Sequence, residues 1–178
     1  MDDRDQAIDE LLAKQEITEA IFKYCRSMDR CDHELGKSVF HPDARVDYGA
    51  QMYQGSGHGF VDMALSGHTG AFLSHSHQHG NILIRIDGER AYSETYGHVT
   101  LRRRDETGQL IDCCNYGRYL DIWERRQDGR WKIAERAYLT DFDETGPAVG
   151  ALFETTGKRD PSDPSYRLFE QGKLLPLD

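Results

Sequence analysis

Three histidines at alternate positions, His75, His77 and His79, are the densest chemistry in the sequence. On a strand, alternate side chains share one face, so the three rings would point the same way. Three reachable imidazoles invite a zinc reading. The spacing begins like a metallo-hydrolase motif, but the Asp and the fourth His that should follow one step on are missing. It also matches half of a cupin motif, which belongs to a nearly all-β chain. No bound metal is therefore expected. The second candidate is Asp29, in the run Tyr24-Cys-Arg-Ser-Met-Asp29 at the end of a helical pattern. The helix dipole opposes a carboxylate at that end, so Asp29 needs a partner. Tyr24 lies five residues earlier, roughly 140° around the helix. A break near the helix end would bring both into one pocket.

An Asp and a His that meet in an apolar pocket form a general-base pair. The carboxylate holds one ring nitrogen, fixes the tautomer and stabilises the imidazolium, while the other nitrogen takes a proton from substrate. A nearby tyrosine can donate to a leaving hydroxyl or to a developing enolate. Such a set suits proton abstraction beside an activating group, followed by elimination, isomerisation or ring closure. It requires no organic cofactor. There is no phosphate loop, nucleotide fingerprint or nucleophile elbow; Gly55-Ser-Gly57-His-Gly59 is expected to be a plain loop. Cys25, Cys31, Cys113 and Cys114 lack zinc-knuckle spacing and read as buried or half-buried thiols.

The elements that must position these groups follow from periodicity. Residues 5–28 read as one amphipathic helix with Asp5 as N-cap, its stripe formed by Ile8, Leu11, Leu12, Ile17, Ile21, Tyr24, Cys25 and Met28. A shorter helix starts at Asp32, carries Leu35, Val39 and Phe40 inward, and stops at His41-Pro42. A strand from Ala44 to Tyr48 and a third helix over 59–73 follow. The period then changes to two. Strands are expected at 77–86, 90–104, 110–125 and 130–142, with hairpins at Asp87-Gly88 and Asp128-Gly129. Residues 1–143 form the domain and 144–178 a loop-rich extension, with a short helix near 148–154. Helices first and hairpins later predict an α+β domain. The long helix must lie across the concave face of the curved sheet, which leaves a pocket between them.

Composition bounds the partners. The chain has 178 residues, the size of one domain, and a formal net charge of −9. Its one basic run, Arg102-Arg103-Arg104, is followed at once by Asp105-Glu106. Nucleic acid, which demands a positive field, is not expected as a partner. No apolar run approaches the length of a membrane span, and the acidic N-terminus lacks the pattern of a signal peptide. A cytoplasmic location is expected.

Four stretches taken in order resemble a known family. They are YCRSMDRCD at the end of the first helix, VFHPDARVDYG, an HxxxN followed by IxIDGxxA, and GRYLDIWERRQDGRWKIAER. Together they are similar to the SnoaL-like branch of the nuclear transport factor 2 superfamily over about residues 5–142. The resemblance implies a cone-shaped α+β barrel with three N-terminal helices around a deep pocket, and a homo-oligomer, dimer or trimer. Members include polyketide cyclases, scytalone dehydratase, lindane dehydrochlorinase, bile acid 7-alpha-dehydratase and the small subunits of ring-hydroxylating dioxygenases. The dehydrochlorinase and the bile acid enzyme share an Asp ending the first helix and a His four residues before an Asn. Asp29, His77 and Asn81 match these. The bile acid enzyme's two tyrosines match Tyr24 and Tyr48. The dehydrochlorinase has Lys at the position of Tyr24, which weighs against halide elimination. Its catalytic Arg, five residues after the Trp of the last hairpin, matches Arg136.

The resemblance implies a cofactor-independent lyase of the dehydratase type, acting on a hydrophobic hydroxylated small molecule, aromatic, steroid or polyketide. His77 would be the base, Asp29 its partner, and Tyr24 and Tyr48 would orient substrate and assist the leaving group. Arg136, Tyr116, His79 and Asn81 would contact substrate. The alternatives are an isomerase, cyclase or carbon–carbon lyase with the same pair, a non-catalytic dioxygenase small subunit, and a carrier domain.

Overall fold

The computed structural model describes residues 3–150 and 157–173. Helix α1 spans Asp3–Arg30, α2 His33–Ser38, and α3 Gly57–Ala71; strands β1 and β2 span Phe40–Asp47 and Gln54–Ser56. Four long strands complete one sheet: β3 (Ser74–Asp87), β4 (Arg90–Arg104), β5 (Leu110–Arg125) and β6 (Trp131–Pro147). A last helix, α4, spans Pro164–Gln171. The strand order is β2-β1-β6-β5-β4-β3. Among the described residues, only β1 and β6 pair in parallel. This is the expected α+β architecture with a mostly antiparallel sheet. Both Asp-Gly sites lie at hairpin connections, but neither Asp-Gly pair is itself the expected two-residue turn. Asp87 pairs with Arg90, so the first loop is Gly88-Glu89, and Arg125 pairs with Trp131, so the second is the five-residue loop 126–130. Gly88 and Gly129 have φ of 61° and 69°, a region that suits glycine.

Helix α1 lays Ile17, Ile21, Tyr24 and Met28 on the inner face of the sheet. There they join Tyr119, Trp123 and Ile133 in one core. Full burial of each such apolar side chain is worth about 1.5–3 kcal/mol. The stripe is not the one expected, because Ile8, Leu11 and Leu12 are exposed. At about 100° per residue they fall on the opposite side of α1 from Ile17 and Met28. Spacings of three and four had joined two faces into one.

Other boundaries move for local reasons. Helix α2 ends at Ser38, and Val39 and Phe40 are buried outside it, Phe40 opening β1. Pro42 thus sits inside a strand, where the β1–β6 register is interrupted between Phe40 and Arg45 and the ladder makes no demand on its missing N–H. The expected plain loop at Gly55–Gly59 is strand β2 running into α3. Ser56 caps α3 by accepting from the Gly59 N–H at 3.1 Å. Strand β6 continues past residue 143 to Pro147. Of the helix expected near 148–154, residues 148–150 are irregular and 151–156 lie outside the described residues. No helix among the described residues is long and apolar enough to cross a membrane.

One irregularity decides which side chains face the core. Strand β3 pairs Gly80 with Tyr96 but Ile82 with Thr95, leaving Asn81 as an extra residue at φ 49°. Asn is among the few side chains that tolerate this left-handed conformation. The bulge resets the alternation, so His75, His77 and His79 share the inner face with Ile82, Ile84 and Ile86.

Candidate active site

The end of α1 explains how a carboxylate survives against the helix dipole. The helix closes with Cys31 in the left-handed region at φ 51°, and the Asp32 N–H returns to the Ser27 carbonyl at 2.9 Å. This leaves Asp29 in the last turn, facing β3. The backbone N–H of His77 donates to both Asp29 oxygens at 3.0 and 3.1 Å. The His77 ring adds a third contact, Nδ1 to Oδ1 at 2.7 Å. Against a carboxylate that only accepts, Nδ1 is the donor, and in the neutral form of the ring the lone pair then lies at Nε2. The side chains are 6% and 19% exposed, so the pair is shielded but reachable.

Further along the same face lies a group of tyrosines. The Tyr24 and Tyr48 hydroxyls are 3.1 Å apart and buried. Tyr48 stacks between Phe60 and Tyr138, at ring-centre distances of 3.9 and 5.6 Å. Burial pushes the Tyr24 phenol well above its ordinary pKa of 10, helped by neighbouring Tyr119, so it stays protonated and can donate. Arg136 crosses beneath these rings, its guanidinium 4.4 Å from the Tyr24 ring centre and 4.5 Å from that of Tyr119. It is held by a bidentate pair with Asp121, Nε to Oδ1 at 2.7 Å and Nη2 to Oδ2 at 2.8 Å. Its Nη1 is buried without a hydrogen-bond partner. His79 lies between the two groups, 4.7 Å from the Tyr119 ring, with both ring nitrogens buried and unpartnered. Burial, then the Arg136 charge, pushes its pKa down to about 3.

The structure therefore brings Asp29 and His77 into contact and gathers Tyr24, Tyr48, His79 and Arg136 on the same face. Two expected substrate contacts do not belong to it. Tyr116 pairs with His98 and Phe142 across the sheet and stacks on both at 4.4 Å. It is on the outer face, because the inward residues of β5 are Tyr119, Asp121 and Trp123. Asn81 is exposed and serves as the bulge residue. A groove of about 890 Å³ also lies against the outer face, with Leu83, Tyr92, Glu94, Leu120 and Ile122 in its lining, away from the dyad.

Sequence reading missed two members. Asp121 pairs directly with Arg136 in the β5–β6 register, beyond a bulge between Trp123 and Ile122, so a count outward from the first pair, Arg125 with Trp131, misses it by one. His68, on α3, packs its ring 5.7 Å from His77 and 4.6 Å from His75. Nothing in the sequence marks it, because its direction depends on how α3 packs. Among the described residues, no three His, Cys, Asp or Glu side chains are placed to hold a metal ion.

The C-terminal segment docks beside the dyad. Arg159 donates to the His68 carbonyl at 3.1 Å, the Tyr166 hydroxyl to Asp32 at 2.8 Å, and Arg30 pairs with Asp163 at 3.4 Å. Asp163 caps α4 through Ser165.

A family model described as a SnoaL-like domain matches residues 9–137. The chain belongs to the SnoaL-like family. An uncharacterized protein of Mycobacterium tuberculosis is 27% identical to this SnoaL-like chain over 136 residues, covering 76% of it and 90% of the relative. Among solved structures, a nuclear transport factor 2 superfamily protein from Salmonella enterica is 26% identical, with a TM-score of 0.62 over 82% of this chain and 99% of that one. A candidate scytalone dehydratase from Novosphingobium aromaticivorans is 24% identical, with a TM-score of 0.65 over 83% and 93%. A hexachlorocyclohexane dehydrochlorinase from Novosphingobium barchaimii is 16% identical, with a TM-score of 0.68 over 84% and 99%. At these identities the last two show a shared fold.

Proposed function

We propose that this SnoaL-like protein is a cofactor-independent lyase that removes water from a hydrophobic, hydroxylated small molecule. The observation that carries this reading is the 2.7 Å contact between His77 Nδ1 and Asp29, which leaves Nε2 as the free base. In the proposed reaction Nε2 takes a proton from carbon, and Asp29 stabilises the imidazolium that forms. Charge that develops on a neighbouring oxygen is met by the unpartnered Nη1 of Arg136 and by a tyrosine hydroxyl of the Tyr24–Tyr48 pair. Tyr24 in place of lysine favours a hydroxyl over a halide as leaving group. The scytalone dehydratase and dehydrochlorinase named among the structural neighbours support a lyase-type family.

The test is a panel of hydroxylated carbonyl compounds incubated with the protein in deuterated water and followed by nuclear magnetic resonance. Loss of water with formation of the conjugated alkene is the expected result. His77→Ala should lower kcat by roughly 10²–10⁴-fold. Asp29→Asn should also fall steeply, because it loses the ionised acceptor. A His77→Ala protein with full turnover overturns the reading. Deuterium exchange with a rearranged or cyclised skeleton, and no water lost, replaces dehydration with isomerisation on the same base.

A further inference from the structure

Beside the base stands a second histidine couple that the reaction described above does not use. His68 and His75 meet edge to face, their ring centres 4.6 Å apart, and the His77 ring centre is 5.7 Å from the first and 6.1 Å from the second. The Nδ1 atoms of both His68 and His75 are buried and have no hydrogen-bond partner. Their backbone is firmly held. The His68 carbonyl accepts from the Phe72 N–H at 3.2 Å and from Arg159 at 3.1 Å, and His75 lies in register opposite Leu101. On its other edge His75 turns Nε2 toward Cys31 Sγ at 3.9 Å. Buried polar nitrogens left without partners in a folded protein point to a group that completes them.

The chemistry of that group follows from the charge state. Burial, then the neighbouring imidazoles, pushes His68 to about 3; burial, then His77, pushes His75 to about 4. Both rings are neutral near pH 7, so each offers one donor and one acceptor. A carboxylate or halide only accepts, and an ammonium only donates. A hydroxyl does both.

We propose that His68 and His75 form a hydroxyl-binding subsite beside the dyad, which holds the substrate oxygen that departs; this rests on the dehydratase reading above. The step balances within the site. His77 Nε2 takes the C–H proton, the electron pair of that bond becomes the new carbon–carbon double bond, and the adjacent C–O bond breaks. The proton on His77 then passes to the departing oxygen, which leaves as water. His68 and His75 hold that oxygen by hydrogen bonds and exchange no proton in the balance.

Crystals of the full chain soaked in ethylene glycol test the subsite independently of turnover. An ordered oxygen, of water or glycol, within hydrogen-bond distance of Nδ1 of His68 or His75 is expected. In His68→Phe it should vanish while the Asp29–His77 contact persists, and His68→Gln should restore it. No ordered oxygen there in the native crystal overturns the proposal. A second arm uses the aldol of acetone and benzaldehyde, a β-hydroxy ketone, and its deoxy analogue benzylacetone. His68→Phe should slow enone formation from the first by roughly tenfold more than it slows deuterium exchange on the second. Full enone formation by His68→Phe overturns the subsite. Loss of neither activity in His77→Ala overturns the dehydratase reading instead, whatever the crystal shows.

Discussion

At the residue scale, Arg136 sits in an ion pair that is buried at both ends. Its side chain is 1% exposed and that of Asp121 is 0%. Removing one member of such a pair leaves a buried charge alone, which costs about 3–5 kcal/mol. Arg136→Met should therefore lower the urea midpoint sharply, and Asp121→Leu in the same chain should return most of the loss. Equal losses in the single and double variants would mean that the guanidinium stabilises through its ring contacts and not through Asp121. The residues themselves were unevenly legible. Asp29 and His77 stood out by type and position. His68 did not, since a histidine on a helix announces nothing until the helix is placed. Tyr116 was misplaced because its strand was certain while the parity of that strand was not.

At the element scale, β3 depends on Asn81. A β-branched residue at φ 49° meets its own carbonyl, so Asn81→Val should cost roughly 1–2 kcal/mol, whereas Asn81→Gly should change stability little. Thermal melts of both proteins check this, and equal midpoints would show that the strand relaxes the bulge at no cost. The hairpins were readable because the glycine after each Asp admits the positive φ that a tight connection needs, although the loops themselves are Gly88-Glu89 and residues 126–130. Helix α1 was readable as a helix but not in its orientation. Ile8, Leu11, Leu12 and Phe22 form a second apolar set on the exposed side, and periodicity alone does not say which set the sheet covers. Helix α4 escaped notice because its proline-rich approach reads as loop, yet Asp163 and Pro164 are good helix-start residues.

At the scale of the whole molecule, three buried neutral imidazoles, His75 and His79 on β3 and His68 on α3, shape how stability responds to acid. Unfolded, His68, His75 and His79 would titrate near 6.5; folded, burial lowers them to about 3, 4 and 3. The unfolded chain therefore binds more protons between those values. Their contribution is complete above pH 6.5 and is lost as the pH falls toward the folded pKa values. Scanning calorimetry should show Tm falling over that window, with a shallower fall in His79→Phe; an unchanged slope would place the acid sensitivity elsewhere. Asn81 has one further consequence, for comparing this chain with its relatives. Odd-numbered histidines and even-numbered isoleucines look toward the same interior only because one residue is skipped between them. A homologue lacking that residue keeps every inward side chain but loses the count. The two sequences then match only if the gap is placed at the bulge, and a gap moved by one position would equate inward residues with outward ones.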